Sequence, residues 1–286
     1  MIFQFMDDQR QFHSVELMAK VLRVSRSGYY AWRCREKSAR TRQTERLVVE
    51  IRYIQEHISR YRYGSPRVHQ ELRKRGWQVS RKRVAHLMRT HELGARSKKK
   101  FRVTTKSAHR HVAAPNLLKR EFNVIQLNRA WVSDYTYVAT AEGWLYLCVI
   151  LDLANREVIG WSMSSHLGTD TLLNAYWSAV RKCKPSEGLL FHSDRGVQYA
   201  SGRFRRLLRR HGVVQSMSRK GDCWDNAPAE SFFKTLRSEL IASHVYSTRA
   251  EAQQAIFEYI EVFYNRVRRH SYLGYLTPLE YRSQAA

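Results

Sequence analysis

The sequence predicts an α/β protein in which a mixed five-stranded sheet with flanking helices follows an all-helical, strongly basic region. Strand and helix patterns alternate after about residue 121, whereas helical periodicity alone dominates before residue 94. The charge is divided near the same place, because residues 1–120 hold 30 Lys and Arg against 9 Asp and Glu, and residues 121–286 hold 20 against 16. The first part therefore carries +21 of the formal net charge of +25, which favours a polyanionic partner such as DNA.

The first basic segment, residues 1–40, is typical of a helix-turn-helix. Apolar residues recur at helical spacing from residue 14 onward, and either Ser25 or Ser27 can cap the second helix. The pattern is loose, so an ordinary helical hairpin without DNA contact remains an alternative.

Residues 41–94 are predicted to form a second helical domain of the same kind. One amphipathic helix is expected over residues 41–58, and a helical pair follows a Gly-Ser-Pro break. The last helix of the pair begins with Arg81, Lys82 and Arg83, and a basic helix behind a turn is what docking on DNA requires. The alternative is a solvated charged face.

A basic linker is expected over residues 95–120. It contains Lys98, Lys99 and Lys100, and no acid occurs in residues 95–111. Such a segment is typical of a chain that is extended or becomes ordered only on DNA. Residues 121–286 then form the predicted catalytic core with a C-terminal helix.

The core shows three successive strand patterns and then alternates helix, strand, helix, strand, helix. This order is typical of the ribonuclease-H-like fold, in which an antiparallel meander is followed by crossover connections. The strands are expected at residues 130–138, 144–151, 157–163, 189–194 and 213–217, and the helices at 169–182, 203–211, 227–240 and 250–264.

Three acids fall at junctions of these elements. Asp134 lies in the first strand, Asp194 ends the fourth, and Glu230 lies in the first turn of the helix after a glycine-containing loop. Strands disfavour Asp, so Asp134 suggests a function. Three converging carboxylates call for divalent cations, and two Mg²⁺ ions can clamp the oxygens of a phosphoryl displacement.

Each acid also has a simpler interpretation or a rival. Asp194 alone could form a turn, and Glu230 could favour a helix N-terminus or pair with Lys234. Asp152 is a rival carboxylate that we interpret as turn-forming, while Asp222 and Asp225 are expected to shape the loop and cap the helix. Glu230, Lys234 and Arg237 share one helix face, as a metal-binding acid flanked by phosphate-binding cations would, or a solvated salt-bridge face.

At these residues the chain resembles the insertion-sequence transposases of family three, second reading frame, whose catalytic core is similar to that of retroviral integrases. The resemblance spans nearly the whole chain. Its motifs are residues 28–32 (GYYAW), 63–68 (YGSPRV), 131–137 (WVSDYTY), 191–199 (FHSDRGVQY), 218–233 (SRKGDCWDNAPAESFF), 264–265 (YN), His270, 273–275 (LGY) and 277–278 (TP). The family often has Met or Val where Ala229 stands, which does not affect the chemistry.

The resemblance implies a DDE transposase. Asp134, Asp194 and Glu230 would be its catalytic residues and would bind two divalent metal ions, Mg²⁺ or Mn²⁺. It also implies strand cleavage and strand transfer at the ends of an insertion sequence, with double-stranded DNA as both donor and target. Arg237 matches a basic position of the family.

DNA contacts and partners are also expected. Arg195, Gln198 and Tyr199 are expected to position DNA beside Asp194, and Trp224 to stack on a base or, alternatively, to anchor its loop. If the helical half does not hold DNA, residues 203–210 and 266–269 are the alternative. A homo-oligomer on DNA is expected, together with fusion to, or association with, a DNA-binding protein from an upstream frame.

Other classes of function are disfavoured. No apolar run approaches the ~20 residues of a membrane helix, no signal peptide is evident, and four scattered cysteines fit the reducing cytoplasm. We expect a bacterial, nucleoid-associated location. Two rival functions remain: a DNA-binding regulator with an inactive core, and a nuclease acting on RNA–DNA hybrids.

Overall fold

The computed structural model describes residues 1–95 and 113–285. These residues form two compact units, Met1–Arg52 and Tyr53–Ala286. Most of the predicted linker, with Lys98, Lys99 and Lys100, lies outside the described residues. The domain boundaries expected at residues 40, 94 and 120 therefore stay a prediction.

The start of the first unit consists of three short helices around a small apolar centre. They are α1 (Ile2–Gln9), α2 (Val15–Val21) and α3 (Arg26–Cys34), and their buried residues are Met6, Met18, Ala19 and Tyr29. Ser14 and Ser25 cap α2 and α3, each accepting a hydrogen bond from a backbone N–H of the first turn. The tyrosine hydroxyl donates to the carboxylate of Asp7 at 2.8 Å, which attaches α1 to the hairpin.

The next helices depart from the prediction at one place. The α-helix expected over residues 41–58 is α4 (Ala39–Tyr53), and a π-helical turn continues it over Ile54–Ser59. In that turn, Gln55 is fully buried and its amide donates to the carbonyls of Tyr63 and Leu93. The turn thereby joins the helical pair α5 (Ser65–Lys74) and α6 (Arg81–Thr90), and Ser80 caps α6 as predicted.

The sheet has the predicted five strands in the order β3-β2-β1-β4-β5. They are β1 (Ala130–Thr140), β2 (Gly143–Asp152), β3 (Val158–Ser164), β4 (Leu190–Ser193) and β5 (Val214–Met217). The first three form an antiparallel meander, whereas β4 pairs parallel to β1, and β5 parallel to β4. This mixed sheet confirms the predicted fold class.

Helices pack against the sheet and bury its apolar side chains. They are α7 (Thr169–Cys183), the short α8 (Val197–Ala200), α9 (Gly202–Arg210) and α10 (Ala227–Glu239). A core of buried aromatic rings lies between α7, α9 and the sheet, and includes Trp131, Tyr176, Phe191 and Phe204. This core provides the rigid base from which the strand ends project.

The C-terminal segment fixes the helical pair to the sheet domain. It contains α11 (Arg249–Phe257), a π-helical turn over Glu258–Tyr264 where one long helix was expected, and α12 (Pro278–Ala285). The Tyr63 hydroxyl donates to the Val267 carbonyl at 2.7 Å. Buried Arg269 pairs with Glu71 of α5 at 2.5 Å. No helix among the described residues is long and apolar enough to cross a membrane.

We predict that Gly160→Ala destabilises the protein, because an added Cβ would lie 2.3 Å from the Ala175 carbonyl oxygen and push β3 away from α7. Overpacking of this kind costs about 1–3 kcal/mol in the free energy of unfolding, which denaturant titration measures. Gly202→Ala is the control, since its nearest neighbour is the flexible end of Arg206 at 3.3 Å. Equal stability of the two variants would contradict this packing.

Candidate active site

Parallel pairing of two neighbouring strands brings the first two acids to one edge of the sheet. Ser133 of β1 is in register with Ser193 of β4, and this is the last pair that the two strands form. Asp134 follows the first of these serines and Asp194 follows the second, and neighbouring strands lie only about 4.8 Å apart. The two carboxylates therefore share this edge.

The third acid is placed by α10, which lies alongside β1. At its start, the Asn226 amide donates to the Ser133 carbonyl at 3.1 Å. Further along, the Arg237 guanidinium donates to the Thr136 hydroxyl at 2.6 Å. These two bonds fix both ends of the helical stretch that carries Glu230, in the first turn of α10, beside Asp134.

Asp134 is affected by the charges of both other carboxylates. Burial raises the pKa of Asp134 well above its usual range, and the charges of Asp194 and Glu230 raise it further. A hydrogen bond from the Tyr135 N–H to Asp134 and the charge of Arg237 oppose this shift. Partial removal from water also raises the pKa of Glu230, although its side chain stays on the exposed side of the helix.

The loop after β4 shapes the surroundings of Asp194. The carboxylate of Asp194 accepts a hydrogen bond from the Gly196 N–H at 2.9 Å. An added Cβ at Gly196 would lie 3.0 Å from that carboxylate and 3.1 Å from the Gln198 side-chain oxygen. Glycine thus allows the turn to close tightly around the acid.

The oxygen atoms of the three acids suit a divalent cation. In the described part of the chain, however, no three Asp, Glu, His or Cys side chains lie close enough together to hold a metal ion. Carboxylate oxygens are the ligands that Mg²⁺ prefers. Each acid that loses its proton here makes ionisation of Asp134 costlier. A bound cation would remove that cost, so the residues fit such an ion.

The predicted DNA contacts on α10 have different surroundings. Lys234 is exposed, in keeping with the predicted role. Arg237 is half-buried, lies 5.9 Å from the centre of the Tyr137 ring, and has a pKa lowered by burial. Arg237 therefore holds α10 against β1 in addition to any contact with DNA.

Of the three residues expected to position DNA beside Asp194, two are in the interior. Gln198 and Tyr199 are only 8% and 1% exposed. The Tyr199 hydroxyl donates to the Ser133 hydroxyl at 2.8 Å, since that hydroxyl itself donates to the Val149 carbonyl. Tyr199 therefore supports the strand that carries Asp134, and the contact of Gln198 and Tyr199 with DNA stays a prediction. Arg195 donates to the Ser218 carbonyl at 2.7 Å.

The other predicted contacts among the described residues lie wholly or partly at the surface. Trp224 is 68% exposed in the loop before α10, which fits stacking on DNA better than anchoring the loop. Arg81 and Lys82 are exposed at the start of α6, and Arg83 is half-buried there.

The rival acid Asp152 has a structural role. It is fully buried and accepts hydrogen bonds from the N–H groups of Asn128 and Ala154, at 2.7 and 2.9 Å. Burial raises its pKa to about 6. This geometry agrees with its interpretation as a turn-forming residue.

Sequence reasoning missed the residues that hold the site together. Asn226, Thr136 and Ser133 were not candidates, because single polar residues carry no periodic signal. The position of Asn226 two residues before a helix-starting proline was the only available hint.

Comparison with known proteins places similar sequences among mobile elements. Families described as integrase core domain match residues 126–223 and 230–285, and one described as HTH-like domain matches residues 42–101. The chain is 44% identical over 268 residues to the uncharacterized 31 kDa protein of insertion element IS600 from Shigella sonnei, covering 93% of this chain and 98% of that protein. It is 38% identical over 288 residues to transposase InsF for insertion sequence IS3A from Escherichia coli K12, covering 99% of each. Among solved structures, the HTLV-2 integrase catalytic core domain in complex with magnesium shows a TM-score of 0.40 and 14% identity, over 54% of this chain and 94% of that one.

We predict that Asp134→Asn stabilises the metal-free protein. The folded-state pKa of Asp134 is raised, so its ionisation costs stability as the pH rises through that pKa, and the neutral amide removes the cost. In chelator at pH 8, the unfolding midpoint should rise by about 2–4 °C, the equivalent of about 1 kcal/mol, and the gain should vanish near pH 4.

Asp152→Asn is the matched comparison and should gain less, because removal of its buried charge is offset by the loss of one of two accepted backbone hydrogen bonds. An amide offers one acceptor oxygen where the carboxylate serves two buried N–H groups, at a cost of about 1–3 kcal/mol. A lower midpoint for Asp134→Asn in chelator would contradict the proposed repulsion.

Proposed function

Since this chain belongs to the insertion-sequence transposases that carry an integrase core domain, we propose that Asp134, Asp194 and Glu230 are its catalytic residues for cutting and joining DNA strands. The observation that carries the proposal is the parallel register of β1 and β4, which puts Asp134 beside Asp194, together with the bond from Asn226 to Ser133 that brings the start of α10 and Glu230 alongside. Burial and the charges of both other acids raise the pKa of Asp134. A partly buried acid kept under repulsion by two neighbours reduces stability, and such a cost is typical of a functional site.

The three carboxylates would hold Mg²⁺ or Mn²⁺, and two ions suit the chemistry. When bound, such ions supply activation of the attacking oxygen and neutralisation of phosphate charge. We base this part of the proposal on the donor set of this chain: oxygen ligands only, at one edge of the sheet.

The protein's own residues then orient the reaction. Water attacks a phosphodiester at the element's end, and the P–O3′ bond breaks to leave a 3′ hydroxyl and a 5′ phosphate. That 3′ hydroxyl attacks a phosphodiester of the target, whose own P–O3′ bond breaks, so that a target 3′ hydroxyl leaves and the proton of the attacking hydroxyl is released. No side chain forms a covalent intermediate. Asn226 and Arg237 hold Glu230 against β1, and the Gly196 turn holds Asp194, so the acids are positioned before DNA arrives.

Double-stranded DNA, as both element end and target, is the proposed partner. Its contacts would include Lys234, Arg195, Trp224 and the basic start of α6. Helix α9 adds a further basic face, because Phe204 and Leu208 are buried while Arg203, Arg206, Arg209 and Arg210 are exposed and no acid interrupts the helix. Phosphates are recognised by such arrays of arginine.

The family relationship also supports two proposals about assembly. The chain would act as a homo-oligomer on DNA, so that two element ends are processed together. It would be joined to, or associated with, a DNA-binding protein from an upstream frame. A cytoplasmic, nucleoid-associated location follows from a DNA substrate.

We predict that Asp134→Asn, Asp194→Asn and Glu230→Gln each abolish strand cleavage and joining while DNA binding persists. One lost charge disables a shared ion site, so losses should be near-total and not additive. Cleavage and strand-transfer assays on the element's own ends, with Mg²⁺ or chelator, measure this. Asp152→Asn should remain active where folded, and an active Glu230→Gln protein would sink the assignment.

Assays on duplex DNA also distinguish this function from the two rival functions. A regulator with an inactive core would bind the ends without metal-dependent cleavage, and a hybrid-specific nuclease would prefer RNA–DNA duplexes.

We predict that Lys234→Ala weakens DNA binding without lowering stability, because the ammonium is exposed. The slope of log affinity against log salt should fall by about one unit in titrations at several salt concentrations. Arg237→Ala should instead lower both activity and the unfolding midpoint, since its bond to Thr136 joins α10 to β1. If the slope is unchanged for Lys234→Ala, Lys234 is a surface residue that does not contact DNA phosphates.

A further inference from the structure

A fourth carboxylate, outside the three proposed catalytic acids, is buried directly before α10. The Asp225 side chain is 0% exposed. It accepts hydrogen bonds from Asn116 Nδ2 at 2.8 Å, Arg120 Nε at 2.8 Å, and the backbone N–H, Nε and Nη2 of Arg219 at 2.9, 3.0 and 2.9 Å. We call Asn116, Arg120, Arg219, Asp222 and Asp225 the Asp225 hub.

The hub is balanced in charge and hydrogen-bonded throughout. Asp222 pairs with both Arg120 and Arg219, and its carboxylate also accepts the Trp224 N–H at 3.2 Å. Two arginines thus face two aspartates. Hydrogen bonds from Arg219 hold the pKa of Asp225 below its usual range, so the pairing persists wherever the protein is folded near neutral pH.

Arg120 brings the chain that precedes the core into this hub. Residues 113–118 run along the edge strand β5, where the N–H groups of Leu117 and Leu118 donate to the Ser216 hydroxyl at 2.9 and 3.2 Å. Lys119 and Arg120 then turn through left-handed backbone, with φ of 48° and 65°. Residues other than glycine rarely adopt this conformation, and it persists where surrounding contacts impose it.

The hub is connected to Glu230 through one turn of helix. Asn226, next to Asp225, donates to the Ser133 carbonyl at 3.1 Å, and Ser133 precedes Asp134. Glu230 follows Asn226 by four residues, which is about one helical turn. A shift of Asp225 would therefore move the start of α10 relative to β1, and with it the distance between two proposed catalytic acids.

We propose that Arg120 and Asp225 are positioning residues for Glu230, through which the segment preceding the core controls the start of α10. Neither residue touches the reacting phosphate. The proposal rests on the proposed function for its effect on cleavage, whereas its effect on α10 is independent of that function. Because residues 113–120 continue from the basic chain before them, engagement of that chain by DNA would act on Glu230 through Arg120.

Arg120→Ala and Lys119→Ala are a matched pair. Each removes one positive charge from adjacent positions of left-handed backbone, but only Arg120 bonds to Asp225. Arg219 still pairs with Asp225 in the Arg120→Ala protein, so the fold should survive. The rate of cleavage at saturating DNA should fall about 10- to 100-fold for Arg120→Ala relative to Lys119→Ala, the usual loss when a partner that orients a metal ligand is removed. DNA affinity should be equal in the two variants.

Hydrogen exchange separates positioning from general destabilisation. The amides of residues 231–234 bond to the first carbonyls of α10, so they should exchange faster in Arg120→Ala than in Lys119→Ala, with the sheet unchanged. Arg120→Lys keeps the positive charge but loses the two bonds that the guanidinium makes within the hub. This variant should recover part of the cleavage rate.

Equal cleavage rates in the matched pair would overturn the proposal, as would faster exchange spread over the whole chain. An active Glu230→Gln protein would overturn the proposed catalytic role instead. In that case, faster exchange limited to residues 231–234 would still support the coupling of Arg120 to α10.

Discussion

The parallel pairing of β1 with β4 is the constraint on which the candidate site depends. It ends at Ser133 and Ser193, so the next residue of each strand is an aspartate at the same edge of the sheet. Two carboxylates at this spacing oppose each other's ionisation, and Glu230 adds to the repulsion. The fold therefore has to hold together three groups that would separate if they were free to move.

The scaffold meets this demand by surrounding Ser133 with hydrogen bonds. Its hydroxyl donates to Val149 of β2 and accepts from Tyr199, while its carbonyl accepts from Asn226 of the α10 loop. One buried residue thus links the neighbouring strand, the helix after Asp194 and the helix with Glu230. Polar networks inside a protein rigidify a site when every member is satisfied, which explains why Tyr199 is kept in the core.

The sequence was sufficient to predict the sheet, the main core helices and the placement of Asp134 within β1, Asp194 after β4 and Glu230 in the first turn of α10, because alternation and helical periodicity are local signals. The π-helical turns at Ile54–Ser59 and Glu258–Tyr264 were missed, since a π turn has the same composition as an α-helix. The long-range contacts of the Asp225 hub were not predicted from the sequence. Asp222 was expected to shape the loop, but its partner Arg120 is 102 residues away, and nothing local identifies that pair.

Formal charge also proved to be a poor guide to which arginines can meet DNA. Residues 266–269 were an alternative DNA contact, yet Arg268 and Arg269 are 6% and 7% exposed and pair with Glu239 and Glu71. Arg269 joins the C-terminal segment to α5, and Arg268 joins it to the end of α10. The arginines of α9 instead project from a helix whose opposite face is buried. Since buried pairs neutralise their own charge, the electrostatic attraction for DNA would depend on exposed cations such as Arg206, Arg209 and Arg210 of α9 and Lys234 of α10.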